Sequence, residues 1–186
     1  MLVIGIDCAT QPNKTGMALA SWSGAEPRLE EATRGSTGGA PCPEMLADWI
    51  GHAEDVLLAL DAPLGWPKSL GLAVSKHSAG ALLPGSPDTL FSRATDRWIK
   101  KRLGKRPFEV GANLIARTAH AALELLDGLR ERTGHSIPLV WDPSDFRGVG
   151  AIEVYPAATR IALGAPKAAG FTRGSFQIFP FTSSTS

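Results

Sequence analysis

The sequence predicts an α/β protein built on a mixed five-stranded sheet, its first three strands antiparallel, with helices on its faces. Three observations carry that expectation. Residues 2–34 hold three strand-like runs joined by loops so short that consecutive strands must form an antiparallel meander. DVLLALDAP contains five consecutive apolar residues, suited to a central strand covered on both faces. AIEVYP, another strand, arrives only after a stretch of helices. The order is therefore three strands, helix, strand, helices, strand, and the sheet must mix directions.

Residues 2–9 (LVIGIDCA) form the first strand, rich in β-branched and aliphatic side chains. The loop QPNKTG leads to GMALASWSG as the second, and PRLEEATR, residues 27–34, supplies the third. After the turn-rich GSTGGAPCP comes a short helix, PEMLADWIGHA, with Pro43 and Glu44 suited to its first turn. DVLLALDAP is the fourth strand. Residues 64–92 are rich in Gly, Pro and Ser, lack a convincing period, and are expected to form a long loop or lid. A helix near residues 93–103 ends at a Gly-Lys-Arg-Pro break, and a longer one spans about residues 108–132. Its apolar positions Val110, Leu114, Ala119, Ala122, Leu126 and Leu129 make a helical stripe, and Gly134 is placed to end it. SIPLVWD reads as a short extra strand before AIEVYP, and AATRIALG as a short helix after it.

At 186 residues the chain is expected to be one domain with a sizeable core, and 44% hydrophobic with 20% charged content is that of an ordinary soluble protein. No apolar run approaches the length of a membrane span, and MLVIGID places an aspartate where a signal peptide needs its apolar region. Two cysteines, Cys8 and Cys42, in no metal-like spacing point to a reducing cytoplasm without a disulfide framework. A net charge of +1 decides nothing about nucleic acid; the distribution of charge says more.

Three carboxylates sit at strand ends: Asp7 in LVIGIDCA, Asp61 in DVLLALDAP and Glu153 in GAIEVYP. An apolar run that should be buried finishes on or beside a group that cannot be buried alone, since an unpaired ionised carboxylate in an apolar interior costs at least several kcal/mol. The three acids are therefore expected to share a cleft. Hard oxygen ligands at strand ends suit Mg²⁺ or Mn²⁺, which makes metal-assisted phosphoryl chemistry the leading reading. Pro63 forces the fourth strand to stop just after Asp61. The plainer roles for these acids are a turn-former at Asp7, an Asx-turn at Asp61 and an edge-strand glutamate at Glu153.

Arg93 and Asp96 lie three apart in RATDRW and share a helix face. Arg93 is expected to hold a phosphate bidentately with Asp96 orienting it, or else the two form a local ion pair. RATDRWIKKRLGKR holds seven basic residues in fourteen: Arg93, Arg97, Lys100, Lys101, Arg102, Lys105 and Arg106. Such a run attracts a polyanionic backbone, and Trp98 within it and Trp66 after the Asp61 turn offer stacking surfaces for bases. Taken singly, a basic run is a solvated helix face and Trp98 a packing anchor. Beside an acidic cluster the combination points to nucleic acid. GIDCATQPNKTG, with Thr10, loosely resembles the phosphate loop of actin-like ATPases and sugar kinases but lacks their glycine pair. His52, His77, His120 and His135 show no metal spacing and no partnership with Cys8, so nucleophilic triad chemistry is not expected; His77, in the long loop, is the one candidate proton carrier.

VIGIDCA, LDAPLGWP, RATDRW with its following helix, and IEVYPAA, in this order, resemble the family called domain of unknown function 429, predicted nucleases with a ribonuclease H-like fold. The resemblance covers most of residues 2–170. It implies a ribonuclease H-like domain over residues 1–170, a divalent-metal site, and a first-strand aspartate, Asp7, that bridges two cations. It further implies a helical stretch after the GFTR region with another acidic residue near the metals. Here the chain departs from the pattern: residues 171–186 end in SFQIFPFTSSTS, an irregular, altered tail. Loss of a terminal covering helix predicts an apolar face and a homodimer.

The expectation is thus a Mg²⁺- or Mn²⁺-dependent phosphodiesterase acting on nucleic acid. Asp7, Asp61 and Glu153 would hold the metal, with Asp96 beside them. Arg93, Arg97, Lys100, Lys101 and Trp66 would hold the strand under the 64–92 lid. The competing readings are an ATP-handling phosphotransferase on the same core, and a non-catalytic nucleic-acid-binding or assembly module with an incomplete metal site.

Overall fold

The computed structural model describes residues 1–24, 27–35, 41–111, 113–142 and 146–164. Five strands, β1 (Leu2–Asp7), β2 (Gly16–Trp22), β3 (Pro27–Arg34), β4 (Val56–Leu60) and β5 (Val149–Glu153), form one mixed open sheet in the order β3-β2-β1-β4-β5. β1, β2 and β3 pair antiparallel, while β4 runs parallel to β1 and β5 parallel to β4. The short connections dictate the first arrangement. Long connections through helices permit the second.

Helices α1 (Pro41–Ile50) and α5 (Asn113–Thr133) cover the sheet's apolar face. Alternation sends Ile4 and Ile6 of β1 and Val56, Leu58 and Leu60 of β4 to that face, where they meet Leu46, Trp49 and Ile50 of α1 and Ala122, Leu126 and Leu129 of α5. All eleven are essentially buried, and each large one contributes about 1.5–3 kcal/mol of transfer free energy. β3 is the exposed edge, and its charges Arg28, Glu30 and Glu31 discourage pairing with another chain.

The expected α5 stripe holds for Ala119, Ala122, Leu126 and Leu129, but α5 begins only at Asn113. Val110 is buried ahead of the helix and Leu114 is exposed. Gly134, at φ +72°, ends α5 as expected, its N–H donating to the Arg130 carbonyl at 2.9 Å. Residues 64–92 are not wholly irregular: α2 (Lys68–Val74) and α3 (Pro87–Phe91) lie within them. α3 is announced by Ser86 and Pro87, the Ser86 Oγ accepting from the Thr89 N–H at 3.3 Å. Helices of seven and five residues are too short to show a period. The segment SIPLVWD supplies only an isolated bridge, Leu139 to Ala151, flanking β5. α4 (Ala94–Leu103) and α6 (Pro156–Ala162) complete the described elements, and the expectations for the tail and its uncovered face lie outside the described residues. No helix among the described residues is long and apolar enough to cross a membrane.

Gly35, just beyond β3, pins the loop that follows Asp7. Its N–H donates to the Thr15 carbonyl at 2.9 Å, and a Cβ there would fall on the Pro12 carbonyl oxygen, a backbone atom with nowhere to go. Gly35→Ala is therefore expected to cost at least the roughly 1–3 kcal/mol typical of overpacking. A urea midpoint equal to that of the parent protein would show that the loop yields freely.

Candidate functional site

The three strand-end acids meet at the carboxyl edge of β1, β4 and β5, three adjacent parallel strands, which is where open α/β sheets place ligands. The register sets Ile6, Leu60 and Glu153 in one row. Asp7 and Asp61 each stand one residue further along, and the Asp61 N–H donates to the Ile6 carbonyl at 2.9 Å, which holds the two aspartates abreast. Successive side chains alternate between faces, so Asp7 and Asp61 project to one side and Glu153 to the side of Ile6 and Leu60.

This alternation divides the cluster into two parts. The first is a pair of carboxylates without partners: among the described residues, neither the Asp7 nor the Asp61 side chain accepts a hydrogen bond or joins an ion pair. Asp61 is half-buried. Burial first, then the charges of Asp7 and Glu153, push its pKa from 3.8 up to about 6. The same environment raises its neighbours. Burial, then Asp61 and Asp7, push the Cys8 thiol up to about 12, which removes it as a nucleophile near neutral pH. Burial and the Asp61 charge also raise Tyr155.

The second part is a partly buried ion-pair triad. Arg93, the residue before α4, donates from Nη1 to Glu153 Oε2 at 2.6 Å and from Nη2 to Glu153 Oε1 at 2.7 Å. It also donates from Nε to Asp96 Oδ2 at 3.0 Å and from Nη2 to Asp96 Oδ1 at 2.8 Å. Asp96 Oδ2 further accepts the Arg93 backbone N–H at 2.9 Å, satisfying a donor at the start of α4. The Leu64 N–H completes Glu153's shell, donating to Oε2 at 3.0 Å. The Arg93 side chain is 12% exposed and that of Asp96 5%, while Glu153, at 32%, keeps one side to water. Burial alone would lower Arg93's pKa, but its hydrogen bonds to Glu153 and Asp96 outweigh that and hold it above the ordinary value.

The structure thus brings Asp7, Asp61, Glu153, Arg93 and Asp96 together and gives them unequal roles. Arg93 spends its fork on carboxylates rather than standing free for phosphate, and Glu153 has both oxygens occupied. No three acids, histidines or cysteines among the described residues converge as a ready metal-holding group. The residues present do fit a divalent cation of the kind held by one or two protein carboxylates, with water and substrate oxygens completing its shell, at Asp7 and Asp61. Trp66 is exposed just past the Asp61 turn, and Arg97, Lys100 and Lys101 lie along α4. His77 is exposed and its Nε2 lies 3.0 Å from the Ala81 carbonyl, so it contacts none of the acids.

What sequence reasoning missed is the Arg93–Glu153 contact. The pairing of Arg93 with Asp96 was visible at helical spacing, whereas a partner sixty residues away has no local signal. No curated protein and no solved structure matches the chain. A family model described as "Protein of unknown function (DUF429)" matches residues 5–173, a span containing every residue of this cluster, and the chain belongs to that family.

Proposed function

We propose that this protein is a divalent-metal-dependent phosphodiesterase of nucleic acid, on a ribonuclease H-like variant of its mixed sheet. One observation carries the reading: two unpartnered carboxylates stand abreast at a parallel-strand edge, and one of them is pushed up to about pKa 6 by its surroundings. Such a pair repels itself and gains most from a cation. A bound Mg²⁺ or Mn²⁺ would supply the charge that activates a water and steadies the leaving oxygen. Asp7 and Asp61 would hold it. Arg93 keeps Glu153 at the margin of the site, and the α4 cations draw a polyanionic strand toward it. The strand order with an antiparallel first half supports the ribonuclease H-like assignment.

The test is an anomalous-scattering map from crystals soaked in Mn²⁺, with cleavage assays on RNA, DNA and hybrid to follow. A peak within coordination distance of both Asp7 and Asp61, lost in Asp7→Asn, is the expected result. A second reading is favoured by the Arg93–Glu153 contact, which removes the third acid: a non-catalytic module that binds nucleic acid. It predicts no peak, no hydrolysis with any metal, and strand binding that survives Asp7→Asn.

A further inference from the structure

Asp96 has two sides: one faces Arg93, and the other forms part of the wall of a cavity of about 350 Å³ between α3, α4 and the turn after α4. Four cations, Arg97, Lys100, Lys101 and Arg106, share that wall with two acids, Asp88 and Asp96. The charges do not cancel. Asp96 is spent on Arg93. Arg106 donates from Nη2 to Asp88 Oδ1 and Glu109 Oε1, each at 3.0 Å, and is balanced twice over. Arg97 donates only to backbone carbonyls, those of Ser92 and Asp88. Among the described residues no carboxylate pairs with Arg97, Lys100 or Lys101.

These three uncompensated cations stand at i, i+3 and i+4 of one helix and so project from one face, a spacing at which like charges oppose helix formation. The helix dipole favours Lys100 and Lys101, which lie in the last turn of α4. It does nothing for Arg97, a turn earlier, whose guanidinium is fixed in place by two carbonyls. A void in the size range of ligand sites, with three cations on its wall that no carboxylate pairs and one of them held in place by carbonyls, suits an anion. Trp98, next to Arg97 in sequence, is 62% exposed, and Arg102 and Lys105, both exposed, add positive charge outside the cavity wall. A lone phosphate ester would leave that aromatic and those charges unused. A strand uses them all.

We infer that this cavity is a phosphate subsite, seating a backbone phosphate of a single polynucleotide strand away from the bond to be cut, with Trp98 stacking a neighbouring base. The identity of the strand rests on the nuclease reading above; the anion site does not. The Asp96–Arg93–Glu153 chain links the wall of the subsite to the end of β5, beside the acid cluster.

The test uses the full chain and the double variant Lys100→Gln/Lys101→Gln, with Arg28→Gln/Arg117→Gln as a control of equal charge outside the cavity. Labelled single-stranded DNA and RNA oligonucleotides are titrated by fluorescence anisotropy over a range of salt, and inorganic pyrophosphate by calorimetry. The cavity variant is expected to bind strands about tenfold more weakly, with a salt slope shallower by about 1.4, which is two contacts at about 0.7 each. Pyrophosphate binding is lost with it, and the control changes neither. Equal losses in both doubles, or undiminished strand binding in the cavity variant, overturn the subsite while any cleavage remains. Pyrophosphate binding without strand binding overturns the strand assignment and leaves a small phosphorylated ligand. Absence of cleavage with every metal, alongside the expected loss in the cavity variant, overturns the nuclease reading and keeps the subsite.

Discussion

Arg93→Met is expected to destabilise the protein by about 3–5 kcal/mol, because it leaves Asp96 charged, nearly inaccessible and without its cation. The side chain replaced is 12% exposed and makes four side-chain hydrogen bonds to two carboxylates. The partners bear unequal shares. Asp96, at 5% exposure, keeps only the Arg93 backbone N–H, while Glu153, at 32%, can turn toward water and retains the Leu64 N–H. The lost stability should therefore be recovered mostly by adding Asp96→Asn, and hardly at all by Glu153→Gln. Arg93→Lys should rescue little, since an ammonium cannot serve two carboxylates with a planar fork. Urea denaturation of these variants checks the ordering. If Arg93→Met instead cost no more than an exposed ion pair, about 0–1 kcal/mol, α4 and β5 would be held together by something other than this triad.

Much of this arrangement was legible in the sequence because it depends on local patterns. Asp7, Asp61 and Glu153 were found as acids at the ends of apolar runs, and strand ends in a parallel sheet do gather at one edge. The β1–β3 meander followed from loop length, and Ala119, Ala122, Leu126 and Leu129 of α5 from spacing, though not Val110 or Leu114. Two things were not legible. The face on which a strand-end acid emerges depends on a register fixed between β4 and β5, some ninety residues apart, and a shift of one residue would reverse it. Arg93's choice of Glu153 over a phosphate depends on how α4 docks, which leaves no trace in RATDRW beyond the i, i+3 pair with Asp96. The two short helices within residues 64–92 escaped notice for a simpler reason: one or two helical turns are too few to show a periodicity, and only the Ser86-Pro87 start signal marked α3.

Asp61→Asn is expected to abolish metal-dependent activity and yet make the metal-free protein more stable at neutral pH. The ordinary pKa of this carboxyl is 3.8, and in the fold burial, Asp7 and Glu153 push it up to about 6. The folded state thus binds the proton more tightly than the unfolded chain does. Ionised Asp61 opposes folding fully above about pH 6, less as the pH falls through that range, and not at all below about pH 4. The shift would correspond to about 3 kcal/mol if wholly realised. Asp61 is only half-buried, and solvent screening brings the expected gain for Asp61→Asn to about 1–2 kcal/mol near pH 7, vanishing near pH 4. Urea denaturation with chelator present at both pH values reads this directly; a variant less stable than its parent at pH 7 would mean that Asp61 already has a partner. Metal should reverse the ranking. At about 100 times its Kd a cation that binds only the folded state adds about 2.7 kcal/mol, so Mg²⁺ or Mn²⁺ should lift the parent protein above the variant and leave the variant unmoved. Activity should fall by at least about 100-fold, the upper loss typical of removing a mere outer-shell partner of a metal. A carboxylate retained against its cost to folding, and relieved of that cost only by a cation, is a functional group; one that stabilises the fold at every pH is a structural one.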